Sequence, residues 1–157
     1  MSDADEELIH TTLDAPWLPQ GSRAEVIRST VAPRPTNLVR LLIRRGTTVY
    51  CVPRDRTGVL DLPARIVPPS DPEGVATAIQ LARDVLGETS EVTLIGYVRN
   101  VVGQSASDYE WPVPFAHFCL WAADGSPGGG DGRWVSTDGP ESPLTSRHWF
   151  QLIAAPD

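Results

Sequence analysis

The sequence predicts an α+β fold in which a mixed β-sheet lies between helices. Most of the chain consists of short runs rich in β-branched and aromatic residues, separated by turns that contain Gly and Pro. An amphipathic segment near the middle and an apolar segment at 142–154 have helical character. The resulting order of strands, helix, strands and helix is typical of α+β domains.

The chain divides into an N-terminal arm and one domain. Its 157 residues are the size of a single domain. Residues 1–22 are acidic at first and then flanked by prolines, so they are assigned to the arm, and residues 23–157 to the domain. The acidic start is expected to be disordered. Trp17 and Leu18 are candidates for contacts that hold the arm on the domain or on a second subunit.

The predicted strands are bounded by turn residues. Residues 38–52 contain two strands that meet at Arg45 and Gly46. Pro63 should bend or end the strand at 58–67, because proline cannot donate a ladder hydrogen bond. The other strands are predicted at 24–31, 91–102, 113–123 and 133–137.

The clearest helix is predicted at about 71–86. Asp71 can cap its N-terminus with Pro72 in the first helical position, and Gly87 ends it. The apolar residues recur at helical spacing, which predicts one buried face. Four of them are expected to pack on the sheet, namely Val75, Ile79, Ala82 and Leu86.

Composition excludes several classes of protein. The chain has 13 arginines, no lysine and a net charge of −7, a bias typical of a GC-rich bacterial genome. No arginine-rich stripe interleaved with aromatic residues is present, so nucleic-acid binding is disfavoured. No apolar run reaches the roughly 20 residues of a membrane span, and the start lacks a signal-peptide pattern. A cytoplasmic protein with two buried, reduced thiols, Cys51 and Cys119, is expected, with a disulfide or a metal role as the alternatives.

One segment resembles a known motif. Leu60-Asp61-Leu62-Pro63 enters a loop that leads through Asp71 into the predicted helix, and Asp131-Gly132-Arg133-Trp134-Val135 follows later in the chain. Over residues 24–154 this arrangement resembles the Nudix hydrolases. In that family a strand enters Leu-Pro-Gly-Gly, and a helix written Arg-Glu-apolar-x-Glu-Glu-x-Gly follows. The resemblance implies a Nudix-like α/β/α sandwich and a hydrolase of nucleoside diphosphates linked to another group.

The family's carboxylates bind divalent cations that activate water and stabilise charge on phosphoryl oxygens. Most of these acids are missing from this motif. Aligned without a gap, the helix places the motif's first Glu on Gln80 and its Glu pair on Arg83 and Asp84. With a one-residue insertion, the glutamates fall on Leu81, Asp84 and Val85. The ungapped register is preferred because it puts polar residues on the catalytic face.

The resemblance therefore makes Asp84, Asp131 and Asp71 the candidate catalytic residues and Asp84 the candidate metal ligand. Mg²⁺ is the implied cofactor, and weak or absent binding is expected because Arg83 puts a positive charge at a ligand position. Each acid also has a structural interpretation, as a surface acid, a turn residue or a helix cap.

Arginines can replace a metal in binding phosphate, and Arg65, Arg83 and Gln80 are the candidate phosphate-binding residues. Three functions remain open. The first is a Mg²⁺-dependent hydrolase, and the second is a catalytically silent protein that binds a nucleotide or another small phosphorylated molecule. The third is an interaction protein, for example a homodimer.

Overall fold

A computed structural model describes residues 6–54, 58–88, 91–104, 106, 109–128, 130, 132–138 and 142–154. It confirms the α+β class. The elements are β1 (Glu6–Leu13), β2 (Arg23–Ser29), β3 (Leu38–Leu42), β4 (Arg44–Arg45), β5 (Thr48–Arg54), β6 (Val59–Asp61), β7 (Ala64–Ile66), α1 (Val75–Leu86), β8 (Thr93–Val101), β9 (Phe115–Ala122), β10 (Arg133–Ser136), a 3₁₀ helix (Pro143–Ser146) and α2 (Phe150–Ala154).

The main sheet has six strands in the order β1-β2-β8-β9-β3-β7. It is mixed, because β3 pairs parallel with β9 while the other neighbours pair antiparallel. A smaller sheet has the order β10-β5-β4, and β6 also pairs with β5. The predicted strand is interrupted at Leu62 and Pro63, between β6 and β7, where the sequence predicted a bend.

The two faces of the main sheet pack into separate apolar clusters. Val39, Leu41 and Cys119 lie on one face and pack against α1. Phe118 and Leu120 lie on the other face and pack against the C-terminal segment through Trp149. Alternate residues of a strand point to opposite faces, so one strand contributes side chains to both clusters. Both cysteines are buried and free, as expected from the sequence.

The helix α1 differs from its prediction at two points. It begins at Val75 instead of at residue 72, after Gly74 in a left-handed conformation with φ of 77°. A Cβ on Gly74 would meet Thr36 Cγ2 and Val39 Cγ1 at 3.0 Å each. The predicted buried face was right at Ala82 and Leu86 but wrong at Val75, which is 36% exposed, and Ile79 is only half-buried. Thr77, Ala78 and Leu81 are buried as well, so this face is rotated relative to the predicted one.

Two terminal segments also differ from the sequence prediction. Within the arm, residues 6–13 form β1, an edge strand paired with β2 that sequence analysis did not predict. At the other end, the helix predicted to end the segment 142–154 is present as α2, but it begins at Phe150, so it includes Leu152 and Ile153 and leaves out Trp149. A 3₁₀ helix that was not predicted precedes it. Among the described residues, no helix is long and apolar enough to cross a membrane.

Candidate functional site

The exposed face of α1 carries the polar residues that sequence analysis aligned with the Nudix motif. Gln80, Arg83 and Asp84 are exposed, whereas Leu81 is 4% exposed and packs in the core. The gapped register would put a catalytic glutamate on Leu81. The ungapped register puts the motif's apolar position there instead, so burial favours the ungapped alignment.

Asp84 is held by two neighbouring side chains. Gln80 Nε2 donates a hydrogen bond to its Oδ1 at 2.9 Å. Arg65 Nη1, on β7, lies 2.8 Å from its Oδ2. The hydrogen bond from Gln80, together with that from Arg65, lowers the pKa of Asp84. Both carboxylate oxygens therefore already have protein partners, and Arg65 supplies the positive charge.

Asp71 caps α1 from the loop. Its Oδ2 accepts hydrogen bonds from the Thr77 backbone N–H at 2.8 Å and from Thr77 Oγ1 at 2.7 Å, and its Oδ1 accepts from the Ala76 N–H at 3.4 Å. Burial opposes its ionisation, but the hydrogen bonds from Thr77 and Ala76 outweigh burial and lower its pKa. The prediction that Asp71 is the N-cap residue, with Pro72 in the first helical position, was wrong, because Gly74 occupies the N-cap position. Asp71 instead accepts from first-turn N–H groups from three residues farther upstream.

An open cleft of about 360 Å³ lies beside α1 and is lined by residues that include Arg65, Asp71, Thr77 and Gln80. Arg83 and Asp84 are exposed on the following turn of the helix, beside the cleft and outside its lining. The candidate Asp131 lies outside the described residues.

The donor set of this cleft does not fit Mg²⁺. That ion needs several oxygen ligands to replace its water. Asp84 is ion-paired with Arg65 and Asp71 is engaged by the helix N-terminus. Within the described part of the chain, no three His, Cys, Asp or Glu residues are grouped so that they could hold a metal ion.

A second concave site, here called the ring pocket, lies on the face of the main sheet opposite α1. It has a volume of about 280 Å³. Arg40 of β3 and Asn100 of β8 line it from the sheet, and His148 lines it from the C-terminal segment. Arg40 Nε and Asn100 Oδ1 are buried without a hydrogen-bond partner among the described residues.

Aromatic side chains form much of the wall of the ring pocket. Trp17 of the arm stacks on His148 with ring centroids 4.0 Å apart. The rings of Trp111 and Phe118 pack edge to face, with their centroids 5.0 Å apart. The expected attachment of the arm through Trp17 is thus made to the C-terminal segment.

Asp61 is a buried carboxylate that acts electrostatically on Arg40 of the ring pocket and lies close to two other arginines. It is 3% exposed. Its Oδ1 accepts hydrogen bonds from the Trp149 Nε1–H at 2.9 Å and from the Leu62 N–H at 2.8 Å. Its Oδ2 lies 3.2 Å from Arg54 Nη1 and 3.9 Å from Arg147 Nε. Burial lowers the pKa of Arg40, and Asp61 partly offsets this effect through its charge.

Sequence analysis missed Arg40, Asp61 and Asn100. The available signal was a charged or amide residue inside an apolar strand, as in LVRLLI around Arg40. Such residues are seldom buried without a partner. His148 showed no partner in the sequence, because its partner Trp17 lies far away along the chain.

Among the comparisons with known proteins, the one with solved structures bears on the fold. No family model matches the sequence, and no curated protein matches it. A mutant of the Bacillus subtilis pyrophosphohydrolase BsRppH is similar in structure, with a TM-score of 0.57 and 13% identity, over 92% of this chain and 87% of that one. The E. coli ORF135 protein is similar with a TM-score of 0.51 and 17% identity, over 74% of this chain and 85% of that one. These likenesses, with the mixed sheet between helices, confirm that the chain has a Nudix-like fold.

Proposed function

We propose that the chain binds a small phosphorylated molecule of the nucleotide type without a metal ion and without hydrolysing it. The ion pair between Arg65 and Asp84 carries this proposal. In the ungapped alignment Asp84 is the remaining carboxylate of the motif helix. Its charge is offset by a guanidinium that the protein itself supplies, so the cleft has less need of a bound cation.

Phosphate binding in this cleft is assigned to Arg65 and Gln80, with Arg83 at its margin. A guanidinium can make two parallel, charge-assisted hydrogen bonds to phosphate oxygens. The side chain of Arg65 is 39% exposed, so part of it is available beyond its contact with Asp84. The competing role for Arg65 is a surface ion pair that contributes little to stability.

The ring of the ligand is assigned to the ring pocket. Its volume of about 280 Å³ is just below the range of roughly 300–1,000 Å³ for ligand sites, which suits one planar ring better than a whole nucleotide. Aromatic walls favour such a ring because flat π-systems stack with low entropic cost. Arg65 pairs with Val39 and Ala64 pairs with Arg40, so the edge strand β7 lies between the two sites. A ligand that occupies both would pass around β7.

The proposal is tested by whether removing the charge of Asp84 strengthens or weakens nucleotide binding. Uridine 5′-monophosphate is titrated by calorimetry into the parent and into Asp84→Asn, each with and without Mg²⁺. Removing the negative charge should strengthen binding, since Arg65 is released to the phosphate, and Mg²⁺ should change nothing. Arg65→Ala should weaken binding about tenfold, with a smaller effect for Arg83→Ala. Arg23→Ala serves as the control, because this exposed arginine pairs with Glu25 near the other edge of the sheet.

The other two functions predict different results. A hydrolase would cleave a nucleoside diphosphate linked to another group only with Mg²⁺, and it would lose this activity in Asp84→Asn. An interaction protein would give no heat of binding in calorimetric titrations with any nucleotide of a broad panel. Either result would overturn the proposal.

A further inference from the structure

We infer that the ring pocket selects a ligand whose ring bears a negative charge, such as a carboxylate, and that Arg40 is the selecting residue. This inference rests on the proposed function, because it concerns the ring end of the same ligand. It adds a requirement that aromatic walls alone do not impose, since stacking accepts neutral and charged rings alike.

The first argument is the unsatisfied guanidinium. Arg40 Nε is buried and has no partner among the described residues. None of the described carboxylates lies within 4.0 Å of this side chain in an ion pair. An unpaired buried donor, above all a charged one, is costly and rare in native proteins. A ligand oxygen that accepts from Arg40 would remove this cost.

The second argument is the balance of charge beneath the pocket. Asp61, Arg54 and Arg147 all act electrostatically on Arg40, and Asp61 is a buried carboxylate. Asp61 already accepts from Trp149 and Leu62 and faces Arg54 and Arg147. Glu110 lines the pocket but is exposed, so solvent screens its charge. Arg54 is half exposed and is also screened, so the count depends on Arg40 and Arg147, which share the one buried carboxylate of Asp61. An anionic group of the ligand would balance the remaining positive charge.

The third argument is the complementary group across the pocket. Asn100 Oδ1 is buried without a partner and can accept a hydrogen bond, while Asn100 Nδ2 donates to Tyr109 Oη at 3.5 Å. Asn100 lies opposite Ala116 and Arg40 opposite Leu120 on β9, four residues apart, or about 13 Å along the strand. The two groups thus mark different sides of the pocket. A ring with a carboxylate on one side and an N–H on the other satisfies both.

Orotidine 5′-monophosphate and uridine 5′-monophosphate form a matched pair, since they differ only in the carboxylate on the pyrimidine ring. Calorimetric titration of the parent should give a dissociation constant at least about tenfold lower for the orotidine nucleotide. Arg40→Met should abolish this preference, so that the two nucleotides bind with similar dissociation constants. Arg40→Lys should keep part of the preference, because it retains the charge without the planar guanidinium.

Two controls separate this inference from the proposed function. Orotate and uracil test the ring pocket without a phosphate, and orotate should bind more tightly. Thermal unfolding of Arg40→Met should give a midpoint at or above that of the parent, since the variant removes an unpaired buried cation. Equal affinity of the parent for both nucleotides would overturn the inference and leave the proposed function in place. If neither nucleotide binds, the proposed function is wrong, and the inference then fails unless orotate still binds more tightly than uracil.

Discussion

Replacing Asp61 with alanine should destabilise the protein severely, because this carboxylate satisfies groups from several distant parts of the chain. Its side chain is 5% exposed. The substitution leaves the Trp149 Nε1–H and the Leu62 N–H without their acceptor, and Trp149 and Leu62 are 1% and 2% exposed. It also removes the buried partner of Arg54 and Arg147.

The expected magnitude follows from these contacts. Each orphaned buried donor costs about 1–3 kcal/mol, and breaking a buried ion pair costs about 3–5 kcal/mol. Since groups in one network are not additive, the expected loss is about 3–5 kcal/mol in total. A domain of this size has a free energy of unfolding of about 5–15 kcal/mol, so the loss is a large fraction of it. The melting temperature should fall by roughly 6–20 °C.

Urea denaturation at neutral pH, followed by tryptophan fluorescence and circular dichroism, measures this loss. Asp61→Asn should lose less, since its amide oxygen can still accept from Trp149 and Leu62. Asp84→Ala is the matched control, because this exposed acid should not change the midpoint measurably. The double variant with Asp61→Ala and Arg40→Met should lose less free energy of unfolding than the sum of the two single variants, because the two charges interact. A loss below about 1 kcal/mol for Asp61→Ala would refute the assignment of Asp61 as the centre of this network.

Three further predictions concern the core, pH and metal. Leu81→Ala should cost about 2–5 kcal/mol in urea denaturation, against under about 1 kcal/mol for Val75→Ala, and equal losses would contradict the packing of α1. Burial lowers the pKa of His117 below its ordinary 6.5, so the unfolded state binds more protons and stability should fall as pH drops from 6.5 toward the folded pKa. In thermal melts His117→Gln should lessen this fall, whereas an unchanged pH dependence would exclude His117 as its source. Millimolar Mg²⁺ should leave the melting temperature of the parent unchanged, and micromolar affinity that disappears in Asp84→Ala would show that the helix still holds a metal.

The order of elements could be read from the sequence because it depends on local patterns. Runs of β-branched residues, the break at Pro63 and the helical spacing before Gly87 each reflect the conformations accessible to a few neighbouring residues. The edge strand β1 was missed because its residues are acidic or polar at several positions and form a strand by pairing with β2. The rotation of α1 was missed because Val75 and Leu81 are equally apolar in sequence, and only the sheet decides which of them is buried.

Of the candidate site, the sequence alone determined that Asp84 is the single carboxylate of residues 75–86, since this depends only on which residue types follow one another. Only the tertiary structure decided what that carboxylate does. Arg65 reaches Asp84 because β7 lies beside α1. The ring pocket likewise joins Trp17, Arg40 and His148, which are far apart along the chain. Such contacts arise from the pairing and packing of elements, and charge, burial and hydrogen bonding between distant residues leave no periodic signal in the sequence.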